Sequence, residues 1–382
     1  MTINKKIAYI SGTRADFGLM TPVFTAVRES KSLSLKVYTT GMHLMPLYGE
    51  TVKEVTALFP DAERIEATIE SDGRDGLARF AGALLPKIVA AFTSDRPDFV
   101  LLLGDRVEML MVATACLYLG IPTGHLHGGE RTATVDETAR HAISKLASLH
   151  FAATEASAQR LKKMGEEERR IHVVGAPALD VILYQKLPTR AELSEKLGLK
   201  AGPFILVVQH AVSEEIADAG KQMQETLAAV KSFGLPVVVI YPNADAGGKA
   251  IIAEIEKERE HPLFRILPSL PYEDFLALER EASVWVGNSS GALIESASFA
   301  VPVVNIGTRQ NGRERGGNVL DAGYDRKAIA SAIKRALTDM SYRAGLRDIS
   351  NPWGKGGTGA RVAHILEELA IDRSLLAKQL AY

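Results

Sequence analysis

The sequence predicts two doubly wound α/β domains in series with a cleft between them, and three observations point there. Short apolar runs alternate with longer amphipathic segments almost from end to end, as in parallel sheets covered by helices. Runs such as Phe204–Val208 and Val237–Ile240 are continuously apolar, as strands buried on both faces must be. At 382 residues the chain exceeds one typical core and suits two domains of roughly 150–200 residues each.

In chain order, the first strand is expected at Ile7–Ile10. The turn Ser11-Gly12-Thr13-Arg14-Ala15-Asp16 follows, then a helix through Val23, Phe24 and Val27. Further strands are expected at Leu33–Thr39, Arg64–Ile69, Phe99–Leu103, Ile121–Leu126, His150–Ala153 and Ile171–Val174. Helices fit between them, notably Leu77–Phe92 and Arg106–Leu119, which makes about seven βα units by residue 185. The texture then changes. Lys186-Leu187-Pro188-Thr189-Arg190 leads into a short charged helix and a Gly-Leu-Lys-Ala-Gly-Pro turn ending at Pro203, read as the interdomain connection. Alternation restarts with Phe204–Val208, Val237–Ile240, Phe264–Leu267, Val284–Val286 and Val301–Ile306. The Gly-rich loop Trp353–Gly357 precedes an amphipathic helix at Gly359–Ala370 and a frayed tail. The domains are therefore set at residues 1–185 and 186–358, with 359–382 a C-terminal extension.

Bulk composition narrows the function. The 45 basic and 46 acidic residues nearly cancel, so no global field points to nucleic acid or an anionic membrane surface. The single cysteine, Cys116, lies in an apolar helical run and is read as core; it excludes intrachain disulfides and fits a reducing cytoplasm. The four apolar residues after Lys5-Lys6 are too few for a signal peptide, and no apolar run reaches the ~18–20 residues of a membrane span. A cytoplasmic protein is expected.

The chemistry concentrates in Val100–Lys145. Gly104-Asp105-Arg106 ends one strand; His125, His127, Gly128-Gly129, Glu130 and Arg131 end the next; Asp136, Glu137, Arg140 and His141 follow at helical spacing. Asp105 could cap a helix, exchange protons or bind a metal. His125-x-His127 has a metal-like spacing if the run stays extended, but no third ligand stands at fixed spacing, so no metal is expected. Asp136 reads as a helix cap, or as a carboxylate held ionised by the helix dipole and Arg140. Elsewhere, free N–H groups after Ser11-Gly12 and the Arg14 guanidinium suit a phosphate, though a plain βα turn reads the same way. Neither a GxGxxG fingerprint nor a Walker loop is present, so no dinucleotide cofactor is expected. Gly287-Asn288-Ser289-Ser290-Gly291 closes a strand and opens a helix, so its hydroxyls and N–H groups can cradle a phosphate; an unliganded N-cap serine is the alternative. Glu295 falls about one turn later, where a carboxylate could take two ribose hydroxyls. The donor-rich loop Gly307–Arg313 contains Arg309, and His210 ends a strand where it should face the cleft.

Taken together the sequence resembles the hydrolysing UDP-N-acetylglucosamine 2-epimerases of sialic-acid biosynthesis and their relatives acting on bacillosamine-type nucleotide sugars. The resemblance runs from about Ile7 to Leu369. It rests on GTRAD (Gly12–Asp16), GDR (Gly104–Arg106), HGGE with VDE-x-x-RHAI-x-K (His127–Lys145), QH (Gln209-His210), GNSSG (Gly287–Gly291) with Glu295, and VNIGTRQ-x-GR (Val304–Arg313). It implies a two-Rossmann, glycosyltransferase-B fold, with the nucleotide on the second domain, the sugar in the cleft and the C-terminal helix back on the first domain. It also implies C2 proton removal, loss of the nucleoside diphosphate to a glycal, and water addition, without NAD or metal. Asp105, Asp136 and His210 carry over as catalytic positions; Arg14, Arg106, Ser289, Ser290, Gly291, Glu295 and Arg309 are expected to bind substrate. Where some relatives have a catalytic glutamate this chain has His127, so either His127 or Glu130 is expected to take that role. The partner implied is a UDP-sugar, and the assembly a homodimer or homotetramer.

Overall fold

In the computed structural model, residues 4–71, 73–199 and 202–381 are described. Among these the first sheet comprises β1 (Lys5–Ser11), β2 (Leu33–Thr39), β3 (Glu63–Arg64), β4 (Phe99–Leu103), β5 (Thr123–Leu126), β6 (Leu149–Ala152) and β7 (Ile171–Val173). The second comprises β8 (Ile205–Val208), β9 (Val237–Ile240), β10 (Phe264–Leu267), β11 (Val284–Gly287), β12 (Val303–Ile306) and β13 (Val319–Ala322). The spatial orders are β3-β2-β1-β4-β5-β6-β7 and β10-β9-β8-β11-β12-β13, and neighbouring strands pair in parallel. Each order reverses once, between β1 and β4 and between β8 and β11, which is the doubly wound, Rossmann-like arrangement. A crevice opens beyond the strand ends at each reversal. The central strands are apolar because helices cover both faces: every residue of β4 and β8 is buried, while the edge strand β13 is half-exposed.

The departures from expectation have local causes. Of the predicted Arg64–Ile69 strand only Arg64 lies in a paired strand, together with Glu63 before it. Beyond it Ile65, Ala67 and Ile69 stay buried, but the chain leaves the edge and bonds loop groups, Ala67 O accepting from Gly41 N. Strand β13 was not expected, because Val319 and Leu320 are followed directly by Asp321 on an exposed edge. The predicted connection contains the helix Arg190–Leu197, closed by a Thr189/Glu192 capping box, whose Leu193 and Leu197 pack with the second sheet's cluster. Lys200 and Ala201 of the expected turn lie outside the described residues. Cys116 is fully buried, as expected of a core position. One helix, Arg74–Ser94, is by length and composition apolar enough to cross a membrane. Here its buried residues Phe80, Leu84, Ile88 and Phe92 recur every four positions, the stripe of a helix lying on a sheet.

The end of the chain docks instead of fraying. The helix Thr358–Glu368 lies against the first domain's helix Arg14–Glu29, and Lys5 Nζ donates to Leu366 O at 2.9 Å. Further on, Lys378 Nζ donates to Ser144 O (3.0 Å) and Ala147 O (2.9 Å) and pairs at 2.6 Å with the buried carboxylate of Glu166. Glu166 also takes Lys145 and His150. Burial alone would raise its pKa, but these partners outweigh it and hold the pKa at about 2.

The two helices meet at Gly359, where an added Cβ would lie 2.4 Å from Pro22 O and 2.7 Å from its carbonyl carbon. Alanine is the better helix former by about 1 kcal/mol. Backbone against backbone cannot relax cheaply, however, and such overpacking costs about 1–3 kcal/mol. Gly359→Ala should therefore lower the thermal midpoint. Gly345→Ala, at a helical site with nothing within 4 Å of the added Cβ, should leave it unchanged or slightly raised. Calorimetry on both variants checks this; a Gly359→Ala midpoint at or above the parent's would refute the close packing.

Candidate active site

The strand ends at the two sheet reversals face each other across one cleft of about 310 Å³. On the first wall Asp105 and Arg106 follow β4, His127 follows β5, and Asp136 stands in the first turn of the helix Val135–Leu146. Behind them sits Arg140, whose side chain is 2 % exposed. Its guanidinium bonds Asp105, His127 O (3.1 Å) and Glu130 Oε2 (3.1 Å), tying three elements together.

Glu130, expected in the proton-transfer set, does not line the cleft. It is fully buried, with Oε1 on His127 Nδ1 and Oε2 on Arg140 and on Arg313 from the other domain. Burial would raise its pKa, but the charges of His127, Arg313 and Arg140 outweigh burial and hold it well below the usual carboxylate range. The imidazole it braces is the one that reaches the cleft. His127 Nδ1 is engaged by Glu130, while Nε2 is buried without a hydrogen-bond partner among the described residues. The ring is aimed by a left-handed backbone, φ +60°, at a residue that is not glycine, a conformation that costs about 1–3 kcal/mol. The same bend ends the strand, so His125 and His127 do not converge. His125 points inward, Nε2 2.7 Å from Gly104 O and Nδ1 3.0 Å from Ser144 Oγ, and burial lowers its pKa to about 3. Among the described residues no group of three or more His, Cys, Asp or Glu side chains is gathered as for a metal.

Asp136 departs from both sequence readings. Thr134 is the N-cap, so Asp136 is free of capping duty, and it is not held ionised. Burial and the negative neighbours Asp105 and Asp245 push its pKa up to about 7, while Arg140 is committed to Asp105 and Glu130 and Arg309 stands 3.7 Å away. Dielectric and like charge therefore outweigh the helix dipole here. Arg14 is likewise committed: it pairs with Glu54 and donates to Ser269 Oγ at 2.6 Å, and burial lowers its pKa to about 10. The N–H groups after Ser11 are not free either, since Gly12 N (3.0 Å) and Thr13 N (2.8 Å) both donate to Asp16 Oδ2. That turn is self-capped.

On the second wall His210 follows β8, Ser289, Ser290 and Gly291 follow β11, and Arg309 follows β12. His210 Nδ1 accepts the Asn243 backbone N–H at 3.1 Å, which fixes the tautomer with the proton on Nε2. Burial, with Arg309 and Arg106 nearby, holds its pKa well below the ordinary value, so the ring is neutral. Ser289 occupies the N-cap of the short helix Ser290–Ile294 but makes no capping bond with its side chain. Glu295, the residue after that helix, lines the cleft and accepts from Tyr272 Oη at 2.8 Å. Gly291 leaves room for it, since an added Cβ would lie 2.7 Å from Glu295 Oε2 and displace that carboxylate.

Sequence reading missed the residues that aim these side chains. Asn288 accepts the His210 N–H (2.7 Å), donates to His210 O (3.0 Å), and offers its own carbonyl to Arg309 and Gln310. Glu108 is fully buried under Arg106, which reaches Asp245 of the second domain at 3.8 Å. Arg313 stacks 5.4 Å over Trp353 on its way to Glu130. Of these Asn288 and Arg313 had a signal, their places inside GNSSG and VNIGTRQ-x-GR.

A family profile described as UDP-N-acetylglucosamine 2-epimerase matches residues 25–367. The chain is 40% identical over 99% of its length, and all of the relative's, to "UDP-N,N'-diacetylbacillosamine 2-epimerase (hydrolyzing)" of Legionella pneumophila. It is 34% identical to "UDP-N-acetylglucosamine 2-epimerase" of Neisseria meningitidis, with 89% of each chain covered. A solved Neisseria meningitidis UDP-GlcNAc 2-epimerase bound to UDP-GlcNAc shares the fold, with TM-score 0.77 and 20% identity over 94% of this chain and 99% of that one. A cleft walled by acid–base groups on one Rossmann-like domain and by hydroxyls, His210 and Glu295 on the other is thus met in a chain that belongs to the UDP-N-acetylglucosamine 2-epimerase family.

Proposed function

We propose that this enzyme is a hydrolysing 2-epimerase of a UDP-2-acetamido sugar, converting UDP-N-acetylglucosamine to N-acetylmannosamine and UDP. The observation that carries the reading is the facing of Asp105, His127 and Asp136 against Ser289, Ser290, His210 and Glu295 across one cleft. Residues 1–185 supply the acid–base wall, 186–358 hold the nucleotide, and 359–382 complete the first domain. We extend the proposal to a cytoplasmic homodimer or homotetramer, which light scattering on the purified protein tests.

Asp136 takes the C2 proton. A carboxylate raised to about 7 is the stronger base that a weakly acidic C–H demands, yet it is still ionised in part at neutral pH. The C–H electron pair becomes the C1=C2 bond of the glycal as the C1–O bond breaks, and the charge leaves on UDP. The His210 Nε2–H and the Ser289 and Ser290 hydroxyls are suited to stabilise that charge in a dry site. Arg309 spans from the Asn288 carbonyl toward Asp136 and shapes the same region. Water then adds its oxygen to C1 while His127, whose ring Glu130 orients, gives a proton to C2 on the opposite face. The proton that water loses restores His127, and the one taken by Asp136 passes to solvent. The free 2-epimer and UDP are released. A second reading, UDP-N,N'-diacetylbacillosamine as substrate, is favoured by the Legionella relative, and the GDP form is its variant. The decisive experiment offers the three nucleotide sugars in parallel in D2O and identifies the released sugar by proton NMR. Deuterium at C2 is expected; a product that keeps its C2 proton, or one still attached to UDP, would overturn the reading.

Asp136→Asn should lower kcat by at least ~10²-fold in a folded protein, the usual size of an acid–base contribution. Asp105→Asn should lower it by a comparable factor through the loss of its pairing with Arg140 and of the charge beside Asp136. Because the base must be ionised, kcat/KM should rise with pH and level off above an apparent pKa near 7. Removing the Asp105 charge takes away a neighbour that raises Asp136, so the residual activity of Asp105→Asn should show that limb at lower pH. An unchanged limb would mean another group titrates. Ser290→Ala should raise KM about tenfold and leave kcat within a few-fold, as expected for a lost ground-state contact. An equal drop in kcat would place Ser290 in the chemical step.

A further inference from the structure

Beneath the second wall lies a buried carboxyl that the reaction does not use. Glu279, on the helix Tyr272–Glu281, is fully buried, and its carboxyl faces that of Glu295 within hydrogen-bonding reach. Among the described residues no donor reaches either Glu279 oxygen, and Glu295 Oε2 is similarly unserved while Oε1 takes the Tyr272 hydroxyl. The titratable groups around the pair are Tyr272 and, beyond it, Glu273; among the described residues no cation faces either carboxyl. Two carboxylates in contact in a dry site without a cation cannot both be ionised, so one proton stays between them. Glu279 is fully buried and does not line the cleft, whereas Glu295 does. The proton therefore belongs on Glu279, with the charge on Glu295, where a hydroxylated ligand can use it.

We propose that Glu279 is a positioning residue for nucleotide binding: as a neutral acid it donates a hydrogen bond to Glu295, leaving Glu295 as the ionised acceptor for the vicinal hydroxyls of a ribose. This rests on the reading that a nucleoside diphosphate occupies the cleft. Tyr272 donates to one oxygen of Glu295 and Glu279 to the other, so the carboxylate is oriented before the ligand arrives. The ligand then need not order it. The arrangement also makes binding sensitive to pH on both sides. As pH falls, protonation of Glu295 removes the acceptor. As pH rises, loss of the shared proton sets two charges against each other. Burial pushes both ionisations upward; the charge on Glu295 raises that of Glu279 further, while the hydrogen bonds from Tyr272 and Glu279 partly offset burial at Glu295.

Equilibrium binding of UDP, measured by calorimetry across pH for the whole protein and two variants, tests this. Glu279→Gln keeps a donor to Glu295 but cannot ionise. It should bind UDP within about twofold of the parent near neutrality and lose the parent's alkaline decline, keeping the acidic one. Glu279→Met removes the donor and should bind UDP about tenfold or more weakly, the scale of one lost hydrogen bond to a charged group. With 2′,3′-dideoxy-UDP that tenfold difference should vanish. Glu279→Gln as weak as Glu279→Met, or a Met penalty that persists with the dideoxy ligand, would overturn the inference while leaving the proposed function intact. Failure of the parent itself to bind UDP would overturn both. Glu279→Gln is nearly isosteric, so the test stands even if the Met variant fails to fold.

Discussion

The buried guanidinium of Arg140 is the interaction on which the first wall depends. It joins the end of β4 through Asp105, the turn after β5 through His127 O, and Glu130, all from the helix that carries Asp136. A charge this deep is tolerated only with its partners in place, and removing one partner of such a pair typically costs about 3–5 kcal/mol. Arg313 then reaches the same Glu130 from the second domain. One carboxylate, held by two guanidiniums from opposite sides of the cleft, thus connects interdomain contact with the orientation of His127. The network holds charge near the cleft without spending Asp136, which keeps the affinity for protons that its role requires.

Proton placement is the common principle of the two walls. His127 and Glu130, His210 and Asn243, and Glu295 and Glu279 are each a cleft-facing group paired with a neighbour on its own wall. In each, the partner decides which atom of the cleft-facing group carries hydrogen. Rigid supports behind reactive groups are what electrostatic preorganisation needs, because nothing must reorient when charge develops.

Much of this was legible in the sequence. Continuous apolar runs gave both parallel sheets, and the polar bursts at their ends gave the cleft, because strand ends at a sheet reversal are where ligands bind. The expected site residues other than Glu130 line that cleft. The electrostatics were not legible. Asp136 reads as a cap or a dipole-stabilised anion from its place near a helix start, and only the folded arrangement shows Asp105 and Asp245 beside it. The same holds for Asp16, which takes the N–H groups that the turn after β1 was expected to offer a phosphate. Glu279 carries no local signal, since in a sequence it is one more charge on an amphipathic helix. Short edge strands such as β13 also escape, because an exposed edge needs few apolar residues.

The docking of the helix Thr358–Glu368 and of Lys378 on the first domain has a consequence for how the protein is made. Val23 and its neighbours on the helix Arg14–Glu29 are covered by residues synthesised only after the whole second domain, and so is the carboxylate of Glu166. Domains usually fold as they leave the ribosome, the N-terminal one first. Here that domain must wait, with an apolar face and a buried acid uncovered, until the second has been translated. The two halves are sequential in the gene but interleaved in time, and a fragment ending near residue 185 would be a stalled intermediate with an open seam.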